Sequence, residues 1–131
     1  MMGWWIIISR LNVQEYERAD KETHRAAVLA QWEVGVNGLH WLDRLINEHK
    51  AVQLSFNGYP NRYTALAEDI FPLLKNAGIQ PPREGLTIIG LDEGEEYVQP
   101  PGWIGDIEMH ADRMATCPSD LMLTIDAWDQ S

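Results

Sequence analysis

Cysteine occurs once in the 131 residues, as Cys117. A lone cysteine excludes an internal disulfide and fits a reducing compartment, so the expected location is the cytoplasm. Long apolar runs are missing as well. The opening stretch 4–8 is five residues long and has no basic flank before it. That is too short for a membrane span or for the apolar part of a secretory signal. Also absent are a P-loop, a GxGxxG turn, a GxSxG elbow and a CxxC pair. Nothing therefore points to nucleotide, dinucleotide, acyl-enzyme or thiol redox chemistry, and no cofactor, resident metal or catalytic residue is expected. The scarcest thing of all is positive charge in the last third. Residues 84–131 hold eleven acids and one base, Arg113, whereas residues 1–83 hold nine of each. The whole formal charge of −10 comes from that one segment. Phosphate recognition needs clustered Lys and Arg, so neither nucleic acid nor an anionic membrane suits such a surface.

What is present fits one folded domain spanning residues 1–131. The chain is 45% apolar with six tryptophans, and a chain of this size buries enough surface to fold without disulfides or metal. The acidic third shares that character. It carries Leu86, Ile88, Ile89, Tyr97, Val98, Trp103, Ile104, Ile107, Leu121, Leu123, Ile125 and Trp128, so it reads as a folded surface and not a solvated tail.

Periodicity gives a coarse α+β reading. Residues 3–8 are β-branched and aromatic and predict a first strand. From Val13, the apolar positions Tyr16, Ala19, Thr23, Ala26, Ala27 and Ala30 predict a helix running to about Glu33. A second helix is predicted over 37–49, with Leu42, Leu45 and Ile46 as its stripe. Residues 51–56 alternate as a strand, and Asn57-Gly58-Tyr59-Pro60 is a turn signature. Thr64 is the expected cap of a helix that carries Leu66, Ile70, Leu73, Leu74 and Ala77, is kinked at Pro72 and stops at a left-handed Gly78. Further strands are predicted over 86–98 and 120–128, and 103–116 suits either helix or strand. The expected architecture is helices mainly in 13–77 packed on a largely antiparallel sheet.

Several residue groups invite a chemical reading. Glu108, His110 and Asp112 would share one face of a strand and supply carboxylate and imidazole ligands for a divalent metal, or an acid/base set. Three polar residues at alternate positions also describe any solvent face of a strand. Residues 57–64, with Tyr59, Arg62 and Tyr63, form either a recognition loop or a plain connection. Trp4, Trp5, Trp32 and Trp41 lie in apolar-patterned elements and are expected in the core. Trp103 follows two prolines and precedes a glycine and Asp106, Trp128 sits between Ala127 and Asp129, and the two read as exposed anchors. His40 beside Trp41 reads as a packing residue, and Cys117, with no general base near it, as a structural thiol.

Segregated charge is the strongest of these signals, because solubility alone needs no segregation. A one-sided acidic segment favours a basic partner and steers its approach. In this respect the chain is similar to the small acidic immunity proteins that bacteria make against contact-delivered or polymorphic toxins. That resemblance implies a protein that binds and neutralises a basic toxin domain, such as a nuclease, and is not itself an enzyme. The expected contact residues are Asp92, Glu93, Glu95, Glu96, Asp106, Glu108 and Asp112, with Trp103 as the apolar anchor. Two other readings compete with it: a small metal-dependent enzyme built on Glu108, His110 and Asp112, and a structural adaptor or oligomer subunit whose tryptophans seal an interface.

Overall fold

The computed structural model describes residues 3–76, 78–80 and 103–130. Their elements run β1 (Trp4–Ser9), α1 (Val13–Arg18), α2 (Lys21–Ala27), β2 (Val28–Val34), α3 (His40–Asn47), β3 (Ala51–Ser55), β4 (Asn61–Leu66), α4 (Ala67–Lys75), β5 (Glu108–Met109), α5 (Ala111–Ala115) and β6 (Met122–Asp129). The strands form one antiparallel sheet in the order β3-β4-β6-β1-β2-β5. The α+β class with an antiparallel sheet is thus what the molecule shows. The strand expected within 86–98 lies outside the described residues.

Alternation decides which side of the sheet is dry. Ile6 and Ile8 on β1, Ala30, Trp32 and Val34 on β2, Tyr63 and Ala65 on β4, and Leu123, Ile125 and Ala127 on β6 are all buried. They lie opposite one another in register, Ile6 against Trp32 and Ala127, Ile8 against Ala30 and Ile125, so their side chains share one face. Helices α3 and α4 cover it with Trp41, Leu42, Leu45, Ile70 and Leu74. Each such aliphatic side chain stabilises the fold by roughly 1.5–3 kcal/mol when fully buried.

Two predicted helical regions contain strands instead. The long helix expected to reach Glu33 breaks into α1 and α2, each with its own cap. The Asn12 side chain accepts from the Glu15 amide and Glu15 reaches back to the Asn12 amide, while Asp20 caps α2 through the Thr23 amide. Val28–Val34 is then a strand, because its apolar positions match the period of β1 and not that of the helix before it. Thr64 likewise sits inside β4 and caps nothing; its hydroxyl donates to the Leu123 carbonyl at 3.0 Å. Helix α4 begins at Ala67 and does contain Pro72. Gly78 does not adopt the left-handed conformation expected of it after α4, whereas His49 does so after α3, with φ of 62°. There the Lys50 amide returns to the Leu45 carbonyl at 2.8 Å.

Residues 103–116 combine both expectations. The Gly35 amide donates to the Trp103 carbonyl, Ile104 bridges Val34, and the Gly105 amide donates to the Glu33 carbonyl. The chain then pairs Glu108 with Gln31 and Met109 with Ala30, and the His110 amide donates to the Leu29 carbonyl before α5 begins. An extended segment thus follows the outer edge of β2 and turns into a short helix.

Candidate functional site

Two regions concentrate polar chemistry: the edge formed by residues 103–112 and the second face of the sheet. At the edge, Asp106, Glu108 and Asp112 are exposed and Trp103 is half-buried. The Glu108 carboxylate accepts from Gln31 Nε2 at 2.8 Å and from His110 Nε2 at 3.0 Å. These two hydrogen bonds hold its pKa below the usual carboxylate range, the one from Gln31 having the larger effect. Asp112 belongs to α5, so Glu108, His110 and Asp112 do not lie on one strand face. Among the described residues no cluster of three or more His, Cys, Asp or Glu is arranged to hold a metal ion. Asp92, Glu93, Glu95 and Glu96, the other expected contact residues, lie outside the described residues.

Arg113, the single base of the acidic segment, does not neutralise this edge through an ion pair. Its Nη1 donates to the carbonyls of Arg25 and Val28, each at 2.9 Å. The guanidinium thereby caps the end of α2 and fastens α5 to the sheet. Among the described residues no Lys or Arg forms an ion pair with Asp106, Glu108 or Asp112.

The second face carries an arrangement that the sequence reading overlooked. Arg62 on β4 and Asp126 on β6 are register partners. Arg62 Nε donates to Asp126 Oδ1 at 2.8 Å, and Nη2 donates to Oδ2 at 2.9 Å, a bidentate pair. The Asp126 side chain is 1% exposed and that of Arg62 19%. The Tyr16 ring of α1 lies under the guanidinium, 4.8 Å from centroid to Cζ. His24 of α2 meets Tyr16 edge-on at 4.3 Å between centroids. Burial pushes the Tyr16 hydroxyl well above the usual phenol range, and the Asp126 charge and hydrogen bond add to it. The hydrogen bond to Asp126 raises the Arg62 pKa in turn, against the opposing effect of burial. Nearby, the Thr124 hydroxyl donates to the Leu11 carbonyl at 2.8 Å and ties the segment before α1 down to β6.

These contacts revise several expectations. Trp32 and Trp41 are buried in the core and Trp4 packs against it, but Trp5 is 38% exposed on the opposite face, across from half-buried Trp128. Period two forces this: Trp4 and Trp5 are adjacent on a strand and must point to opposite sides. Within 57–64, Tyr59 is 64% exposed, whereas Tyr63 is 1% exposed in the core and Arg62 is held by Asp126. Burial pushes the Tyr63 hydroxyl up to about 12. Only the front of that segment is therefore open to solvent. His40 is half-buried, and its loss of solvent lowers its pKa. Cys117 is half-buried against the core, its thiol donating to the Arg113 carbonyl at 3.4 Å.

Among the described residues no helix is long and apolar enough to cross a membrane. No protein-family model, curated protein or solved structure matches the chain.

Proposed function

We propose that the chain is an acidic binding protein that docks a basic protein and neutralises it, as an immunity protein does with a bacterial toxin domain. The observation that carries this reading is the state of the carboxylates at the β2 edge. Asp106, Glu108 and Asp112 are exposed and meet no Lys or Arg in an ion pair among the described residues; Asp106 and Glu108 follow Trp103 along one extended segment, and Asp112 lies in the first turn of α5 just after it. The one base of the segment is occupied with backbone carbonyls. Such an edge attracts a cationic surface and offers an aromatic side chain beside the charge. Its outer backbone is also suited to strand addition.

The test is to capture host proteins on the immobilised chain at low salt, identify and purify the bound protein, and measure its association rate at about 50 and 500 mM salt. The expected result is a basic partner whose association slows at least about tenfold at the higher salt, and slows again for the Asp106→Lys/Asp112→Lys variant. A partner that associates equally fast under all these conditions rejects the reading.

A second reading, association through the opposite sheet edge, is favoured by β3. Val52, Leu54 and Phe56 are 57%, 47% and 74% exposed on or just after that outermost strand, where proteins usually place charge. Light scattering across a hundredfold range of concentration separates the two. A constant monomer mass removes the second.

A further inference from the structure

Between helices α1 and α2 and the second face of the sheet lies an open concavity of about 310 Å³, at the small end of the usual range for small-ligand sites. Its floor is Trp5, Ile7 and Trp128. Trp5 and Trp128 are cross-strand partners on β1 and β6, so both indoles stand on the same side. Around them are Tyr16, His24, Arg25 and Arg62. Among the described residues no acidic side chain lines this hollow, although the chain has twenty acids and ten Lys and Arg.

The donors around it are unequally engaged. Arg62 gives Nε and Nη2 to Asp126, while its Nη1 stands 3.9 Å from Glu17 Oε2, beyond hydrogen-bond reach. Asp126 thus pins the guanidinium and cancels its formal charge. Arg25 is different. It is exposed, and among the described residues its side chain makes no hydrogen bond or ion pair, while its backbone carbonyl accepts from Arg113 and from the Val28 amide. The hollow therefore joins an aromatic floor to a cation at the lip that no described acid pairs with.

From this we infer that the second face of the sheet binds a small aromatic carboxylate, its ring laid on Trp5 and Trp128 and its carboxylate on Arg25 with help from Arg62 Nη1. The acid is either free or the carboxyl end of a peptide with an aromatic last residue, since the recognised chemistry is the same. This site is separate from the acidic edge proposed to dock a protein, and either proposal survives the failure of the other.

Calorimetry and tryptophan emission test it with three probes on the full chain: 3-phenylpropanoate, acetyl-Gly-Gly-Phe and 3-phenylpropylamine. The amine has the shape of the first acid and the opposite charge, and the chain's net charge of −10 favours it over the acids in any non-specific binding. The expected result is saturable binding of at least one acid below about 10 mM and none of the amine. Tighter binding of the peptide places the source in a chain end; tighter binding of 3-phenylpropanoate places it in a free acid. Arg25→Gln, a change at an exposed side chain, should weaken binding at least about fivefold, as should Trp128→Ala. No saturation by either acid, equal binding of the amine, or unchanged affinity in Arg25→Gln overturns the proposal.

Discussion

Replacing Arg62 by Met should be the most damaging single change on the second face of the sheet. It removes both hydrogen bonds that Asp126 receives from the guanidinium, at 2.8 and 2.9 Å, and leaves that carboxylate at 1% exposure. Breaking a buried pair from one side typically destabilises by about 3–5 kcal/mol, since the remaining charge loses its counter-charge where water cannot replace it; here the carboxylate keeps the Tyr16 hydroxyl bond alone of its named partners. Unfolding entropy of about 2.1 cal/mol/K per residue makes 1 kcal/mol equivalent to roughly 3–4 °C for a chain of this length. A loss near 4 kcal/mol should therefore lower Tm by about 14 °C at pH 7. The reverse change, Asp126→Asn, should cost less, about 1–2 kcal/mol. Arg62 is 19% exposed and keeps Tyr16 beneath it and Glu17 nearby, so its charge is not stranded. Removing both, as Arg62→Met/Asp126→Leu, should return to within about 1.5 kcal/mol of the native chain. Thermal and urea melts followed by circular dichroism at pH 7 measure all of this. A Tm loss under about 4 °C for Arg62→Met, or a larger loss for Asp126→Asn, would refute the reasoning.

Three further outcomes are expected. Gly38→Ala should destabilise by about 1–3 kcal/mol, because an added Cβ would come within 2.1 and 2.5 Å of the two Val34 methyls; pairing it with Val34→Ala should recover part of the loss in urea melts. His40 has a lowered pKa, chiefly through burial. Its unfolded form thus takes up protons first, and stability should decline as pH falls below about 6.5; a urea midpoint that drops less between pH 7.5 and 5.5 in His40→Gln than in the native chain checks this. Burial also raises the Cys117 thiol pKa, so at pH 8 a chromogenic disulfide should react more slowly with the folded chain than with the chain in urea; equal rates would contradict it.

The sequence disclosed the core better than the site. Ile6, Ile8, Leu123 and Ile125 alternate so strongly that β1 and β6 were readable, and Leu42 with Leu45 marked α3. Strand β2 was hidden by continuity: alanine-rich α2 runs into Val28–Val34 without glycine or proline between them. Strand β4 was hidden by Thr64, whose N-cap preference is real but yields to sheet pairing with β6. Missing β4 concealed the ion pair, since Arg62 and Asp126 meet only through that pairing. At the acidic edge, charge was legible from composition, but the commitment of Arg113 to carbonyls 85 and 88 residues away was not. Tertiary proximity of that kind leaves no local periodicity to detect.

The order of the strands has a kinetic corollary. β6 lies between β4 and β1, so the β3–β4 hairpin and the β1–β2 pair are joined only when residues 122–129 arrive. During synthesis both strand pairs emerge before it and must wait, each with an open apolar side, for the zipper that joins them. Contacts of such long sequence separation fold slowly. Chaperone engagement of nascent chains should therefore persist until that zipper clears the exit tunnel, and end abruptly once it has.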